Sequence, residues 1–114
     1  MADYYVLDDD GNPVPVADAI TWGVWYEHAD RVVKQDYVEG ISPPVGVSTV
    51  FLGLDHNFTG TGPPVLWETM VFGTSLDGRM RRYTSRDAAI MGHAELLADV
   101  RAAYDLEQLK KGTP

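Results

Sequence analysis

Apolar and β-branched positions are densest between residues 45 and 73, VGVSTVFLGLDHNFTGTGPPVLWETMVFG. Val47, Thr49, Val50, Phe51, Val65, Trp67, Val71 and Phe72 suit a pleated, half-buried surface. The stretch therefore predicts two long strands joined by a loop rich in glycine and proline. Its one conspicuous intruder is Glu68.

Elements on either side follow from the same patterning. Residues 4–7 form a short strand ended by the turn formers Asp8, Asp9, Asp10, Gly11, Asn12 and Pro13. Residues 17–30 turn helical, with Asp18 near the start, where a carboxylate meets unpaired amides. Trp22, Trp25, Tyr26 and Ala29 fall on one side of that helix, and Ile20 and Val24 on another. A helix apolar over so much of its circumference either lies between the sheet and another element or uses its second face in an oligomer contact. On this reading Trp22, Trp25 and Tyr26 are candidate interface residues.

Residues 31–38 alternate as a half-exposed strand, with Val32 and Val38 facing one way and Val33 and Tyr37 the other. A loop with Pro43 and Pro44 leads into the central pair of strands. Asp77-Gly78 then signals a hairpin, and the strand after it places Arg79, Arg81 and Tyr83 on one face and Met80 and Arg82 on the other. Thr84, with Asp87 three residues on, reads as a helix-start box. The helix runs to about Leu109 with Ala89, His93, Leu96, Leu97, Val100 and Tyr104 on one stripe.

The expected fold is α+β: an antiparallel sheet of about five strands with two helices packed on one face, in the order β-α-β-β-β-β-α. Residues 1–111 form one domain, since 114 residues do not divide into two stable cores, and residues 112–114 form a frayed end.

The composition, 45% hydrophobic and 23% charged, is that of a packed domain. Three tryptophans, each burying about 150–250 Å2, would contribute roughly 4–6 kcal/mol apiece before entropy. The absence of cysteine excludes disulfides, thiolate zinc sites and cysteine nucleophiles. No apolar run approaches the length of about 20 residues that spans a bilayer, and the start lacks a leader pattern, so a soluble cytoplasmic protein with no membrane contact is expected.

The net charge of −8 argues against direct binding of nucleic acid. Its distribution says more. Residues 1–57 carry ten acids against two bases, while residues 58–114 carry seven of each.

Candidate chemistry is sparse. The acids after residue 7 fail the calcium-loop pattern: counted from Asp8, glycine comes fourth rather than sixth and Ala19 stands twelfth. Gly60-Thr61-Gly62 is followed by prolines and a strand rather than a helix, so it is no phosphate cradle. Strand alternation puts Glu68 with Leu66, Met70 and Phe72. On a core face it would either pair with Arg82 or Arg79 or act in a pocket as a general base or ligand anchor. Asp55-His56-Asn57, where a strand ends, is read as a turn first and as a reactive pair second.

His93 lies on the apolar stripe within conceivable reach of His56 or Glu68. Glu68, His56, Asp55 and His93 are thus the weak catalytic candidates. His28, His56 and His93 have no metal-site spacing, and neither a metal nor a cofactor is implied. Arg79, Arg81, Arg82 and Arg86 form a basic cluster at a helix start, which either holds a phosphate or nucleotide or offsets the acidic half of the chain.

The segment Ser48-Thr49-Val50-Phe51-Leu52-Gly53-Leu54-Asp55-His56-Asn57-Phe58, then Glu68-Thr69-Met70-Val71-Phe72-Gly73, then Arg82-Tyr83-Thr84 leading to Gly92-His93, resembles a family of small uncharacterised bacteriophage and prophage proteins. Tyr4 to Asp8 and the helix around Trp22 and Trp25 are similar to it too. The resemblance implies a phage accessory protein acting in a bacterial cytoplasm and implies no catalytic residues.

Charge asymmetry, the lack of a catalytic signature and this resemblance lead to one expectation. The protein binds and modulates a host protein with a basic surface, one of defence or of nucleic-acid handling, through its acidic half, without catalysis. The alternatives are a small-ligand or nucleotide-binding protein or minor hydrolase using Arg79, Arg81 and Glu68, and a purely structural homo-oligomer, a homodimer first.

Overall fold

Eight elements succeed one another in the computed structural model, which describes residues 3–112: β1 (Tyr4–Leu7), β2 (Pro13–Val16), α1 (Ala19–His28), β3 (Val32–Tyr37), β4 (Gly46–Phe51), β5 (Trp67–Phe72), β6 (Met80–Tyr83) and α2 (Arg86–Lys111). Of the expected frayed end, Thr113 and Pro114 lie outside the described residues.

The class is α+β, but the sheet is not one of five strands. β3-β4-β5-β6 form a four-stranded antiparallel sheet, and β1 pairs with β2 in a separate two-stranded one. β2 was unexpected because its sequence is PVPV. Prolines lack the amide that a central strand needs, yet β2 has one neighbour only, and an edge tolerates them. The acids at positions 8–10 sit in the turn of this hairpin, where the Asp8 carboxylate accepts from the amides of Asp10 and Asn12 at 3.0 and 2.8 Å.

One face of the large sheet is covered and the other is open. Val47, Thr49 and Phe51 of β4 and Thr69, Val71 and Trp67 of β5 point to α2, which supplies Ala89, His93, Leu96 and Val100. Beyond the sheet's end the core continues through Leu66, Trp67, Phe51 and Tyr83 to Tyr5, Leu7 and Trp25.

The helices do not share the face equally, which corrects the expected packing. α2 lies across all four strands, while α1 packs on β1 and β2 and reaches the sheet through Trp25, whose ring meets Phe51 edge-on at 6.0 Å. Trp67 alone of the three tryptophans is fully buried; Trp22 and Trp25 are half-buried. Trp22 donates from Nε1 to the Tyr5 carbonyl at 3.1 Å and stacks at a tilt on Tyr4 and Tyr26. Gly53, at φ +77, lets the chain pass beneath that ring: a Cβ there would stand 3.2 Å from Nε1.

β3 departs from simple alternation. Its pairing with β4 slips between Val32 and Lys34, so two residues of β3 oppose one step of β4. Past the slip, Asp36 pairs with inward Val47, and Tyr37 pairs with Gly46 on the open face. Val33 and Val38 therefore pack on the core and Val32 and Tyr37 face out, where uniform alternation had grouped Val32 with Val38.

Asp77-Gly78 does turn the chain between β5 and β6, inside a longer connection. Gly78, at φ +85, donates to the Val71 carbonyl, and the Asp77 carboxylate accepts from the Gly73 amide at 2.6 Å. The cap of α2 is Ser85, one residue later than expected, accepting from the Ala88 amide at 3.1 Å. Gly112 closes the helix by donating to Gln108 and Lys110.

Candidate functional site

Polar groups on the covered face of the sheet join into a chain of five side chains. Tyr83 Oη donates to Thr69 Oγ1 at 3.0 Å, and the Thr69 and Thr49 hydroxyls are 2.6 Å apart. Thr49 Oγ1 lies 2.7 Å from His93 Nδ1, and His93 Nε2 lies 2.7 Å from Asp36 Oδ2. Four strands and α2 build it: Thr49 and Thr69 are a directly opposed pair on β4 and β5, Tyr83 ends β6, and the β3 slip turns Asp36 inward.

The protons in this chain can be counted. Running each donor toward Asp36 gives Tyr83, Thr69, Thr49 and His93 one acceptor apiece and places the imidazole proton on Nε2. Running them the other way makes Thr69 donate to Tyr83 Oη and leaves the Tyr83 proton without an acceptor among these side chains. A proton on Nε2 is therefore what this donor order requires of the imidazole.

A hydroxyl, an imidazole and a carboxylate in line have the parts of a nucleophile and its base. Here they are sealed. Thr49 and Thr69 have no exposed surface and His93 is 1% exposed, so no substrate atom reaches the hydroxyls. Asp36, with its side chain 29% exposed, is the wet end. The arrangement holds β3, β4, β5, β6 and α2 in register, as buried polar groups do when each finds a partner.

The remaining catalytic candidates have partners other than His93 and other than one another. Glu68 is on the open face, not the core face, and Arg82 Nε donates to its Oε2 at 2.9 Å across the β5–β6 pair. The Asp55 carboxylate accepts from the amides of Asn57 and Val65 at 2.8 and 2.9 Å, which is the turn reading. The His56 ring lies with Nδ1 2.8 Å from the Leu54 carbonyl and beside the exposed Phe58.

Arg81 and Arg82 turn to opposite faces of the sheet. Arg82 faces the open side, while Arg81 turns to α2 and reaches Glu95 Oε1 at 3.4 Å. Arg86 and Asp87 line a depression with Asp10, Gly11 and Asn12, so acids share its wall with the arginine. Among the described residues no three His, Asp or Glu side chains gather as a metal site would need. Nor is any described helix long and apolar enough to cross a membrane.

Trp22, Trp25 and Tyr26, each half-buried, turn their rings to Tyr4, Phe51 and one another, and the Arg31 guanidinium stacks 3.9 Å above the Tyr26 ring. What α1 leaves outside is the other side: Ile20 is 78% exposed and Val24 60%. At the start of α1 the Asp18 carboxyl is held below the ordinary carboxylate range, first by the Thr21 hydroxyl and then by the Ile20 and Thr21 amides.

Compared with known protein families, with curated proteins and with solved structures, the chain matches none.

Sequence reasoning found His93 but missed its partners. Thr49, Thr69 and Tyr83 passed as ordinary strand formers. The usable signal was that alternation puts both threonines on the face of Val47, Phe51, Trp67 and Val71, where an unpaired hydroxyl is costly.

Proposed function

We propose that this protein is a non-catalytic accessory protein of phage origin that docks on a basic, partly apolar surface of a bacterial host protein, through α1 and the β1–β2 hairpin. The observation that carries the reading is the pairing of charge with exposed apolar surface on one unit. Residues 1–30 contain seven acids and neither lysine nor arginine. On that same unit Ile20 and Val24 stand one helical turn apart, bare of intrachain cover, with exposed Glu27 and His28 a further turn along. An apolar pair rimmed by one sign of charge is suited to a partner of the opposite sign, which it attracts from a distance and anchors on contact. The catalytic alternative has little to work with, since the one hydroxyl–imidazole–carboxylate line is closed and Glu68 is engaged by Arg82.

The test is photo-cross-linking in bacterial cells, with the reactive group placed at Val24 or, as control, at Met91, which is 68% exposed on α2. The reading expects an adduct with a basic protein from Val24 alone, weakened by added salt in lysate. Identical adducts from both positions, adducts only with a second copy of this chain, or none would overturn it.

A further inference from the structure

At the end of α2 remote from the acidic hairpin, the helix passes over the 41–45 segment and leaves a cavity of about 380 Å3. Ile41, Pro43, Pro44 and Val45 form its apolar wall, Tyr104 lies along it, and Glu107 and Lys111 of α2 are its charged members. Among the described residues, Glu107 Oε2 is the one buried side-chain oxygen or nitrogen that has no hydrogen-bond partner.

We propose that this cavity binds an alkylammonium group, with the ammonium on Glu107 Oε2 and the aliphatic stem against Ile41, Pro43, Pro44 and Val45. An ionised carboxylate only accepts, so its missing partner is a donor. Two features select a cation among donors: the charge of Glu107 itself and the negative end of the α2 dipole within the same turns. A metal ion is disfavoured, because hard cations take several oxygen ligands and the described residues gather no such group here. The apolar wall rewards a carbon stem rather than a bare ammonium ion, and the cavity falls within the size range of small-ligand sites. Lys111 carries the same chemistry four residues along the helix, yet closes no ion pair with Glu107 among the described residues. This site stands independently of the acidic docking surface, which lies on other elements.

The probes are n-pentylamine and Nα-acetyl-lysine N-methylamide, with n-pentanol as the uncharged control, titrated into the full chain and followed by amide NMR shifts. The amine is expected to move Val45, Gly73, Thr74 and Tyr104 while pentanol moves none of them. Glu107→Gln is expected to weaken the amine by about tenfold or more, as loss of a charged hydrogen bond implies. The lysine derivative moving the same amides assigns the site to a protein lysine, and the free amine acting alone assigns it to a small metabolite-like amine; either supports the proposal. Equal shifts with pentanol in the wild-type protein, unchanged amine affinity in Glu107→Gln, or amine binding seen only after Lys111→Ala would each overturn it. The comparison of amine with alcohol needs no variant and so does not depend on how Glu107→Gln folds.

Discussion

Gly92 of α2 stands directly against Tyr83 of β6: a Cβ at Gly92 would fall on the space held by the Tyr83 hydroxyl and ring edge. Both residues are buried, and the hydroxyl concerned is the first donor of the network that runs to Asp36. A helix-interior glycine, which costs up to about 1 kcal/mol against alanine, is here the condition for α2 to lie close on the sheet.

Gly92→Ala should therefore destabilise the protein despite its gain in helix propensity. Overpacking of about 1–3 kcal/mol exceeds that gain. Urea unfolding of Gly92→Ala, of Tyr83→Ala and of the double variant measures the coupling. Purely additive effects would mean that the two residues do not press on each other.

Within the network, position along the chain sets the cost. Tyr83→Phe removes a terminal donor and should cost about 1 kcal/mol. Thr49→Val strands both the Thr69 proton and His93 Nδ1 and should cost about 2–3 kcal/mol. Asp36→Asn, whose amide oxygen can still accept from Nε2, should be milder than Thr49→Val. Nitrogen NMR of the His93 ring should find the proton on Nε2; a proton on Nδ1 would reverse the donor direction assigned above.

Asp18 gives a dependence on acid. Its carboxyl is held below the ordinary range in the folded chain, so its contribution is complete above the unfolded value and disappears as pH falls through the folded one. The stability difference between wild type and Asp18→Ala should be constant near neutrality and close toward strongly acidic pH. Asp18→Asn, which caps without ionising, should show no such closure. A difference that grows as acid is added would contradict this.

Glu68 and Arg82 should matter little to stability. Arg82 is 38% exposed at its side chain and the pair lies on the open face, where such contacts contribute 1 kcal/mol or less. The coupling energy from Glu68→Gln, Arg82→Gln and the double variant should be below about 1 kcal/mol and shrink with salt. A salt-independent value of several kcal/mol would show that the face is covered in solution.

Much of the frame was legible. The Trp22, Trp25, Tyr26 and Ala29 side of α1, the His93 stripe of α2 and the opposition of Arg81 to Arg82 all follow from spacing, because helical and strand periods act locally. What alternation cannot supply is which of two faces is covered: Glu68 and Thr69 alternate identically whether α2 lies on one side or the other. β2 was hidden by Pro13 and Pro15, whose meaning depends on whether a strand has one neighbour or two. Asp36 was hidden by a pairing slip that is a property of two strands together and leaves no trace in either alone.

That slip has a consequence for how length variation in this chain would be tolerated. If Val33, the extra residue, were lost, Val32 and Lys34 would become neighbours opposite Val50 and Thr49, and pairing would be uniform with Asp36 still opposite Val47. Uniform pairing that kept Val33 would instead set Gln35 opposite Val47, presenting an amide to the histidine and turning the carboxylate out to water. A change of register alone would thus exchange the chemistry of the core, whereas loss of the extra residue would preserve it. A deletion among residues 59–62, whose exposed turn lies outside every strand, would cost only that loop's own hydrogen bonds to Asn57 and leave the strand register alone.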